Sequence, residues 1–342
     1  MIITRTPYRI SFFGGGTDYR PWFLENGGAV LATTINRYCY ISCRYLPPFF
    51  DHRNRIIWSE IEMVNSISDI KHPVVRDVLN YMQISEGVEI HHDGDLPARS
   101  GLGSSSAFTV GILHALYALK GKVATKEQLA REAIFIEQER LRENVGVQDQ
   151  ITTSYGGFNR VDIRPNGEFL VTPVPVSPER LQQLEDHLLL FYSGISRTAS
   201  KIAGQKIAAI PKKQGELKTM MSMVDDAIDI LVSDRDIADF GRLLHESWML
   251  KRSLTPHIAP AFIDEIYDKA RRAGALGGKL LGAGGGGFML IFARPEDRQN
   301  VLDALSSLLM VPIEFENSGT RVIFHQHDRY SRTALSRHDF VR

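Results

Sequence analysis

The stretch LPARSGLGSSSA, residues 96–107, follows a predicted strand at residues 87–91 and precedes an apolar run with helical spacing at residues 108–119. Gly101 and Gly103 allow another group to approach the backbone closely, and three consecutive serines add hydroxyl groups. The start of a helix carries N–H groups without intrahelical acceptors and the positive end of the helix dipole. We therefore predict a phosphate-binding loop, with an ordinary serine-capped loop as the alternative.

This loop differs from two familiar nucleotide-binding loops. No Gly-Lys-Ser or Gly-Lys-Thr follows it, which excludes a P-loop, and the third glycine of the dinucleotide pattern is missing. A formal match to that pattern occurs at Gly282, Gly284 and Gly287, but a predicted helix precedes it and an apolar strand follows it. A Rossmann turn needs the reverse order, so the sequence argues against a dehydrogenase.

Composition indicates a cytoplasmic globular protein. The 342 residues contain 40 basic and 40 acidic side chains, so there is no broad field for nucleic acid or for an anionic membrane. The longest apolar stretch, residues 107–119, is too short to span a bilayer, and the N-terminus lacks a signal-peptide pattern. Cys39 and Cys43 would lie about 13 Å apart on one strand face, too far for a disulfide. We therefore expect a reducing compartment.

The predicted elements divide the chain into two parts. Residues 1–180 are rich in strands, whereas residues 181–342 alternate helices with strands and end in a polar tail from Asp328. Prolines between residues 173 and 178 mark the crossing. This alternation, with terminal strands that return to a sheet, predicts an α+β fold.

Two carboxylates stand out as candidates for chemistry. A capping box at Thr125 opens a predicted helix over residues 126–143, and Glu137 lies on its apolar face. A buried carboxylate needs a partner, either a metal ion bound to phosphate or an arginine. Asp149 follows in the segment ENVGVQDQ and is positioned to accept a proton from a substrate hydroxyl; a plain helix or turn cap is the alternative.

Two further glycine clusters, Gly14 to Gly16 and Gly282 to Gly287, extend the pattern. Arg9 and Asp18 flank the first cluster with a cation and a carboxylate. A turn or a bulge would explain either cluster alone, but three clusters in one chain indicate close approaches of the backbone to ligands or to other backbone.

Four motifs together carry a family resemblance: PYRISFFGGGTDY, LPARSGLGSSSAF, ENVGVQDQ and KLLGAGGGGFML. Their order and spacing resemble those of the GHMP small-molecule kinases, the group of galactokinase, homoserine kinase and mevalonate kinase. The resemblance runs from the first strand to near residue 292. It implies an N-terminal phosphate-loop domain at residues 1–180, a C-terminal ferredoxin-like domain at residues 181–342, and an active site between them.

The resemblance also implies roles for individual residues. Asp149 would be the catalytic base, and Arg9 would lower the pKa of the substrate hydroxyl and stabilise charge. Ser105 and Glu137 would hold Mg²⁺. Substrate would contact Gly15, Gly16 and Asp18. The residues implied to surround the ATP phosphates are Gly101, Leu102, Gly103, Ser104, Ser105 and Ser106.

The substrate is indicated where the chain departs from galactokinase. Gly15 and Gly16 stand where galactokinases have Glu-His, so two sugar-contacting side chains are absent. The GGGTD form, with YSGISRTASKI at residues 192–202 and SWMLKRSL at residues 247–254, is similar to the D-glycero-D-manno-heptose 7-phosphate kinases. These phosphorylate the anomeric hydroxyl on the way to nucleotide-activated heptose.

A substrate that already carries phosphate requires cations, and we predict Arg197, Lys201 and Lys251, with Arg252 as a further candidate. Each of them has a solvated helix face as its alternative. A kinase for a free sugar such as L-fucose or galactose, and a non-catalytic sugar and ATP sensor, remain alternatives to the heptose kinase. The joint presence of a base, a cation and metal ligands argues against the sensor.

Overall fold

The computed structural model describes residues 1–47, 49–98, 100–194 and 199–326, without the side chains of residues 199–201. The predicted polar tail therefore lies outside the described residues. The strands are β1 (Ile2–Phe13), β2 (Gly28–Tyr45), β3 (Asn54–Ile57), β4 (Ile61–Val64), β5 (Val88–Gly94), β6 (Asn159–Ile163), β7 (Phe169–Pro173), β8 (Leu188–Tyr192), β9 (Gly277–Leu280), β10 (Phe288–Phe292), β11 (Leu309–Val311), β12 (Phe315–Glu316) and β13 (Arg321–His325). The α-helices are α1 (Arg20–Asn26), α2 (Pro73–Tyr81), α3 (Ser104–Leu119), α4 (Lys126–Phe135), α5 (Gln148–Tyr155), α6 (Pro178–Asp186), α7 (Ala199–Ala209), α8 (Gln214–Val232), α9 (Ala238–Leu254), α10 (Ala261–Arg272) and α11 (Arg298–Ala304).

The first sheet, nine-stranded in the described part of the chain, carries the phosphate loop. Its main path is β13-β1-β2-β5-β3-β4, while β12 and β6 also pair with β2, and β7 pairs with β6. Helix α3 packs across β1 and β2. Strand β13 returns from the far end of the sequence, so that Ile2 lies opposite His325. The two ends of the described chain therefore meet in one sheet.

The second sheet has the order β11-β8-β10-β9, and each of its pairs is antiparallel. Along the chain its elements follow a β-α-β-β-α-β sequence, with several helices in the first crossover. This arrangement is that of a ferredoxin-like sheet, which confirms the predicted fold of the C-terminal part and the α+β class. The domain division near residue 180 stays a prediction, because β12 and β13 join the first sheet.

An aromatic cluster joins the two parts. Phe12 and Phe13, at the end of β1, contact Phe240 of α9 with ring centroids 5.4 and 5.1 Å apart, both edge to face. Phe240 in turn contacts Phe292 of β10 at 6.2 Å. All four rings are buried. Because such pairs add directional attraction to apolar burial, they hold the end of β1 against the second sheet.

Some elements differ from the prediction, and several helices, α7 among them, were not predicted. The helix predicted over residues 126–143 is α4 followed by a π-helical segment, Ile136–Arg140. Cys39 and Cys43 are buried and unbonded to each other, as their spacing on β2 predicted. No helix in the described residues has both the length and the apolar character needed to cross a membrane.

Candidate active site

The loop before α3 gathers backbone donors at one end of the helix. Gly101 and Gly103 have φ angles of +87° and +74°, the left-handed conformation that glycine adopts without strain. Helix α3 begins directly afterwards at Ser104, so its first-turn N–H groups and its positive dipole end lie at the loop. Ser105 is exposed and Ser106 is buried. This arrangement can surround an anion such as a phosphate group.

Both parts of the molecule hold this loop in place. From β1, the backbone N–H of Arg9 donates to the carbonyl of Leu102 at 3.0 Å, and its Nη1 donates to the carbonyl of Gly101 at 2.6 Å. From the opposite side, the N–H of Phe288 donates to the carbonyl of Ser100 at 3.1 Å. The loop at residues 100–103 and the cluster from Gly282 to Gly287 therefore meet backbone to backbone.

Arg9 and Asp149 form a two-point ion pair beside the loop. Nε donates to Oδ1 at 2.7 Å and Nη2 donates to Oδ2 at 2.8 Å. The Arg9 side chain is 3% exposed, whereas that of Asp149 is 27% exposed. A Cβ atom at Gly103 would lie 3.6 Å from Cγ of Asp149, so the carboxylate lies next to the start of α3. A carboxylate that is held in place and partly accessible thus lies beside the proposed phosphate site.

Glu137 is buried in the π-helical segment, as its position on the apolar face predicted. Its Oε2 accepts from Ser106 Oγ at 3.0 Å and from Gln150 Nε2 at 2.6 Å. Oε1 has no well-aligned hydrogen bond among the described residues. Burial raises the pKa of Glu137 to about 7, although the nearby Thr109 hydroxyl and both donors oppose this. Ser106, not the predicted Ser105, contacts Glu137; the pairing of Ser105 with Glu137 as metal ligands stays a prediction.

The first glycine cluster, Gly14 to Gly16, is tied down by Asp18. One oxygen of Asp18 accepts from the backbone N–H of Gly16 at 2.8 Å, and the other accepts from Nε2 of Gln148 at 2.9 Å. The side chain is 1% exposed, and burial raises its pKa. Asp18 therefore connects the glycine loop to the first turn of α5. Substrate contacts by Asp18, Gly15 and Gly16 stay predictions.

Lys251 is buried, which excludes the solvated helix face as its explanation. Its ammonium donates to the carbonyls of Leu280 and Gly282, each at 2.7 Å, and burial lowers its pKa well below the ordinary value. The lysine thereby secures the start of the third glycine cluster. Arg197 lies outside the described residues, as does the side chain of Lys201, so both stay predictions as substrate ligands.

Two buried lysines near this site were missed by the sequence analysis. Lys279 donates to the carbonyl of Phe12 at 2.6 Å, and burial followed by neighbouring cations lowers its pKa to about 7. Its position inside a buried strand is the signal that could have identified it. Lys206 lies in α7 with its ammonium 5.1 Å from the ring centroid of Tyr19. No signal marked Lys206, because α7 itself was not predicted.

Two family models match the chain. The model for the GHMP kinases N terminal domain matches residues 70–157, and that for the GHMP kinases C terminal domain matches residues 219–309. Together they cover more than half of the 342 residues, and the chain belongs to the GHMP kinases. It is an ATP-dependent phosphotransferase whose acceptor is a hydroxyl group.

Particular relatives narrow the comparison. The chain is 29% identical over 317 residues to the D-glycero-alpha-D-manno-heptose 7-phosphate kinase of Campylobacter jejuni, covering 89% of this chain and 93% of that protein. It is 26% identical to the bifunctional fucokinase/GDP-fucose pyrophosphorylase of Arabidopsis thaliana over 86% of this chain, but over only 30% of that longer protein.

Solved structures agree with the fold. A D-glycero-D-manno-heptose 1-phosphate kinase from Bacteroides thetaiotaomicron has a TM-score of 0.78 at 24% identity, covering 96% of this chain and 100% of that one. A galactokinase from Lactococcus lactis, complexed with galactose, has a TM-score of 0.71 at 16% identity, covering 94% of both chains. At such identities the likeness concerns the fold alone.

Proposed function

We propose that the protein transfers the γ-phosphoryl group of ATP to the anomeric hydroxyl of D-glycero-D-manno-heptose 7-phosphate, for nucleotide-activated heptose synthesis. The observation that carries this proposal is the ion pair of Arg9 with a partly exposed Asp149, fixed beside the start of α3. Phosphoryl transfer needs mainly positioning and charge stabilisation, and both are present there. The free thiols of Cys39 and Cys43 accord with the cytoplasm as the compartment.

We assign the proposed role of each residue from its position in the site. Backbone and hydroxyl groups from Gly101 to Ser106 would bind the ATP phosphates at the helix start. Asp149 would accept the proton of the attacking hydroxyl, since its carboxylate is the accessible member of the ion pair. Arg9 would fix both Asp149 oxygens, while its third contact, to Gly101, couples the carboxylate to the phosphate loop.

The residues present fit a magnesium ion. Mg²⁺ is commonly bound by one or two carboxylates together with substrate phosphates. Glu137 provides a buried carboxylate whose Oε1 lacks a well-aligned hydrogen bond among the described residues. We propose that Glu137 holds the ion with a serine hydroxyl, from Ser105 as the resemblance implies or from Ser106, which already contacts the carboxylate. When bound, the ion would neutralise phosphate charge.

The identity of the acceptor sugar rests on two arguments. The curated relative with the more extensive match is a heptose 7-phosphate kinase, whereas the fucokinase match covers a minor part of a longer protein. The site also contains Lys206, a buried lysine without a hydrogen bond or ion pair among the described residues, which suits an acceptor that carries phosphate. A kinase for L-fucose or galactose is the alternative within the family, and a non-catalytic sensor is the alternative outside it.

An ADP-release assay with ATP and Mg²⁺ tests the proposal. The acceptors are D-glycero-D-manno-heptose 7-phosphate, mannose 6-phosphate, L-fucose and galactose. Selective turnover of the heptose phosphate is the expected result. Turnover of a free sugar alone would support the kinase activity but contradict the proposed heptose substrate. Nucleotide binding without turnover of any acceptor would contradict the proposal and favour the sensor.

A further inference from the structure

Lys206 is a buried cation that the described part of the protein leaves without a direct acceptor. Its side chain is 7% exposed, yet its ammonium forms no hydrogen bond or ion pair with the described residues. Its ammonium lies over the face of the Tyr19 ring, with Nζ 5.1 Å from the centroid. A buried ammonium without an acceptor is costly, so this position calls for an anionic partner.

The other cations near the site are already engaged. Arg9 is paired with Asp149, Lys251 donates to two carbonyls, and Lys279 donates to one. Arg252, which the sequence analysis also considered, pairs with Asp264 at 2.9 Å on the outer side of α9. Among the described buried basic side chains of this site, Lys206 is thus the one with all three N–H donors available to a ligand.

The neighbouring carboxylates do not take up these donors. Burial lowers the pKa of Lys206, and the charges of Asp18 and Asp149 act in the opposite direction, so both acids lie within electrostatic range. However, the oxygens of Asp18 accept from Gly16 and Gln148, and those of Asp149 accept from Arg9. Four basic side chains in this region face two carboxylates, and an incoming phosphate dianion would favour their protonated forms.

Lys206 lines a small pocket between the glycine loop and the helices of the second part. This pocket is lined by Gly16, Tyr19, Lys206, Ala209, Ile210, Lys213, Leu217 and Leu254. Lys213 is paired with Glu216, which leaves Lys206 as the lining cation without a carboxylate partner among the described residues. No lining residue comes from the loop at residues 100–106. The pocket is therefore separate from the proposed site for the ATP phosphates.

We propose that Lys206 binds the phosphate group that the acceptor sugar already carries. The inference rests on the proposed function, since it requires a phosphorylated acceptor. Three N–H donors of an ammonium suit phosphate oxygens, and charge-assisted bonds of this kind are strong when solvent is excluded.

Steady-state kinetics of the full-length protein test this assignment with two acceptors, D-glycero-D-manno-heptose 7-phosphate and the same heptose without phosphate. Lys206→Met removes the charge and keeps the length of the side chain. Loss of one charge-assisted hydrogen-bonding group should raise KM for the heptose phosphate on the order of 10- to 100-fold, with kcat changed less than about threefold. The KM for free heptose should stay within about threefold, and Lys206→Arg should restore part of the affinity for the phosphorylated acceptor.

Lys212→Met is the matched control, because Lys212 is exposed on the adjacent 3₁₀ turn and its loss changes the net charge equally. It should leave KM for both acceptors unchanged. If wild type prefers the heptose phosphate but Lys206→Met keeps its KM, the assignment of Lys206 is refuted while the proposed function stands. A fall in kcat at constant KM would also refute it, since Lys206 would then act on the transferred group. If the wild type does not prefer the phosphorylated acceptor, that result contradicts the proposed function, and the assignment of Lys206 with it.

Discussion

Replacing Asp149 by asparagine separates the proposed base from a purely structural acid. In the wild type each carboxylate oxygen accepts one hydrogen bond from Arg9, at 2.7 and 2.8 Å. Asparagine keeps one acceptor oxygen and turns the other atom into a donor that faces an arginine N–H. The variant therefore loses one of the two bonds, the negative charge and the proton acceptor, with little change in volume.

The expected loss of activity follows from the proton transfer. General-base catalysis contributes roughly 100- to 10,000-fold, so kcat should fall by that factor, equivalent to about 3–5 kcal/mol of transition-state stabilisation. The loss of stability should be smaller. Removing one partner of a fully buried ion pair costs about 3–5 kcal/mol, but the 27% exposure of the Asp149 side chain admits solvent, so we expect about 1–3 kcal/mol.

ADP release measures the loss of activity, and urea unfolding measures the loss of stability. Nucleotide binding is measured as well, to show whether the ATP site stays intact. Asp162→Asn is the matched control, because Asp162 also accepts two hydrogen bonds from one arginine, Arg160, and exposes 35% of its side chain. The control should keep wild-type turnover, and Asp149→Asn should keep nucleotide affinity within a few-fold. Turnover of Asp149→Asn within threefold of wild type would refute the assignment of the base.

Two further predictions concern the surroundings of this pair. The raised pKa of Glu137 means that between pH 4.5 and about 7 the folded chain keeps a proton that the unfolded chain has released, so stability falls as pH rises through this window. Metal-free wild type should lose about 3 kcal/mol relative to Glu137→Gln from pH 4.5 to 8 in urea unfolding, and parallel pH profiles would contradict this. Gly101→Ala should cost roughly 2–4 kcal/mol and weaken ATP binding, because its Cβ atom would lie 2.6 Å from the carbonyl of Leu281 at a φ of +87°. Gly121→Ala, with φ +68° and open space around its Cβ, should lose only the cost of backbone strain, and an equal loss in both variants would contradict the close packing of the loop.

Local patterns were sufficient to predict the parts of the site that depend on neighbouring residues. The glycine-serine loop and the apolar period after it predicted a phosphate-type loop before a helix, and α3 begins at Ser104. Helical spacing predicted the burial of Glu137, although the segment is π-helical. Asp149 could be named as an acid in the segment that leaves that helix. Its pairing with Arg9 could not be seen, because 140 residues separate the two.

Other features depend on distant parts of the chain and were beyond local reasoning. Lys251 was predicted as a phosphate ligand, with a solvated helix face as the alternative, because its acceptor carbonyls on Leu280 and Gly282 come from β9 and the turn after it. Lys206 belongs to α7, whose alanine-rich sequence carries only weak amphipathic spacing. The return of β13 to β1 joins residues more than 300 positions apart. In each case the deciding contact is with backbone or sheet that the local sequence does not specify.

The two glycine-rich segments at residues 100–103 and 282–287 show which features of the site are fixed by contacts between distant parts of the backbone. A Cβ atom at Gly287 would lie 2.2 Å from the carbonyl of Ser100, and one at Gly282 would lie 2.6 Å from Cα of Gly101. These contacts leave no room for side chains, so the geometry of the phosphate loop is fixed by backbone from both parts of the chain. The pocket of Lys206 is different, because side chains from residues 206–217 and from Leu254 form most of its wall. Substitutions can alter that wall without disturbing the transfer site. If Lys206 binds the acceptor's phosphate, the choice of substrate therefore lies mainly with the C-terminal helices, while the chemistry stays with Arg9, Asp149 and the loop before α3.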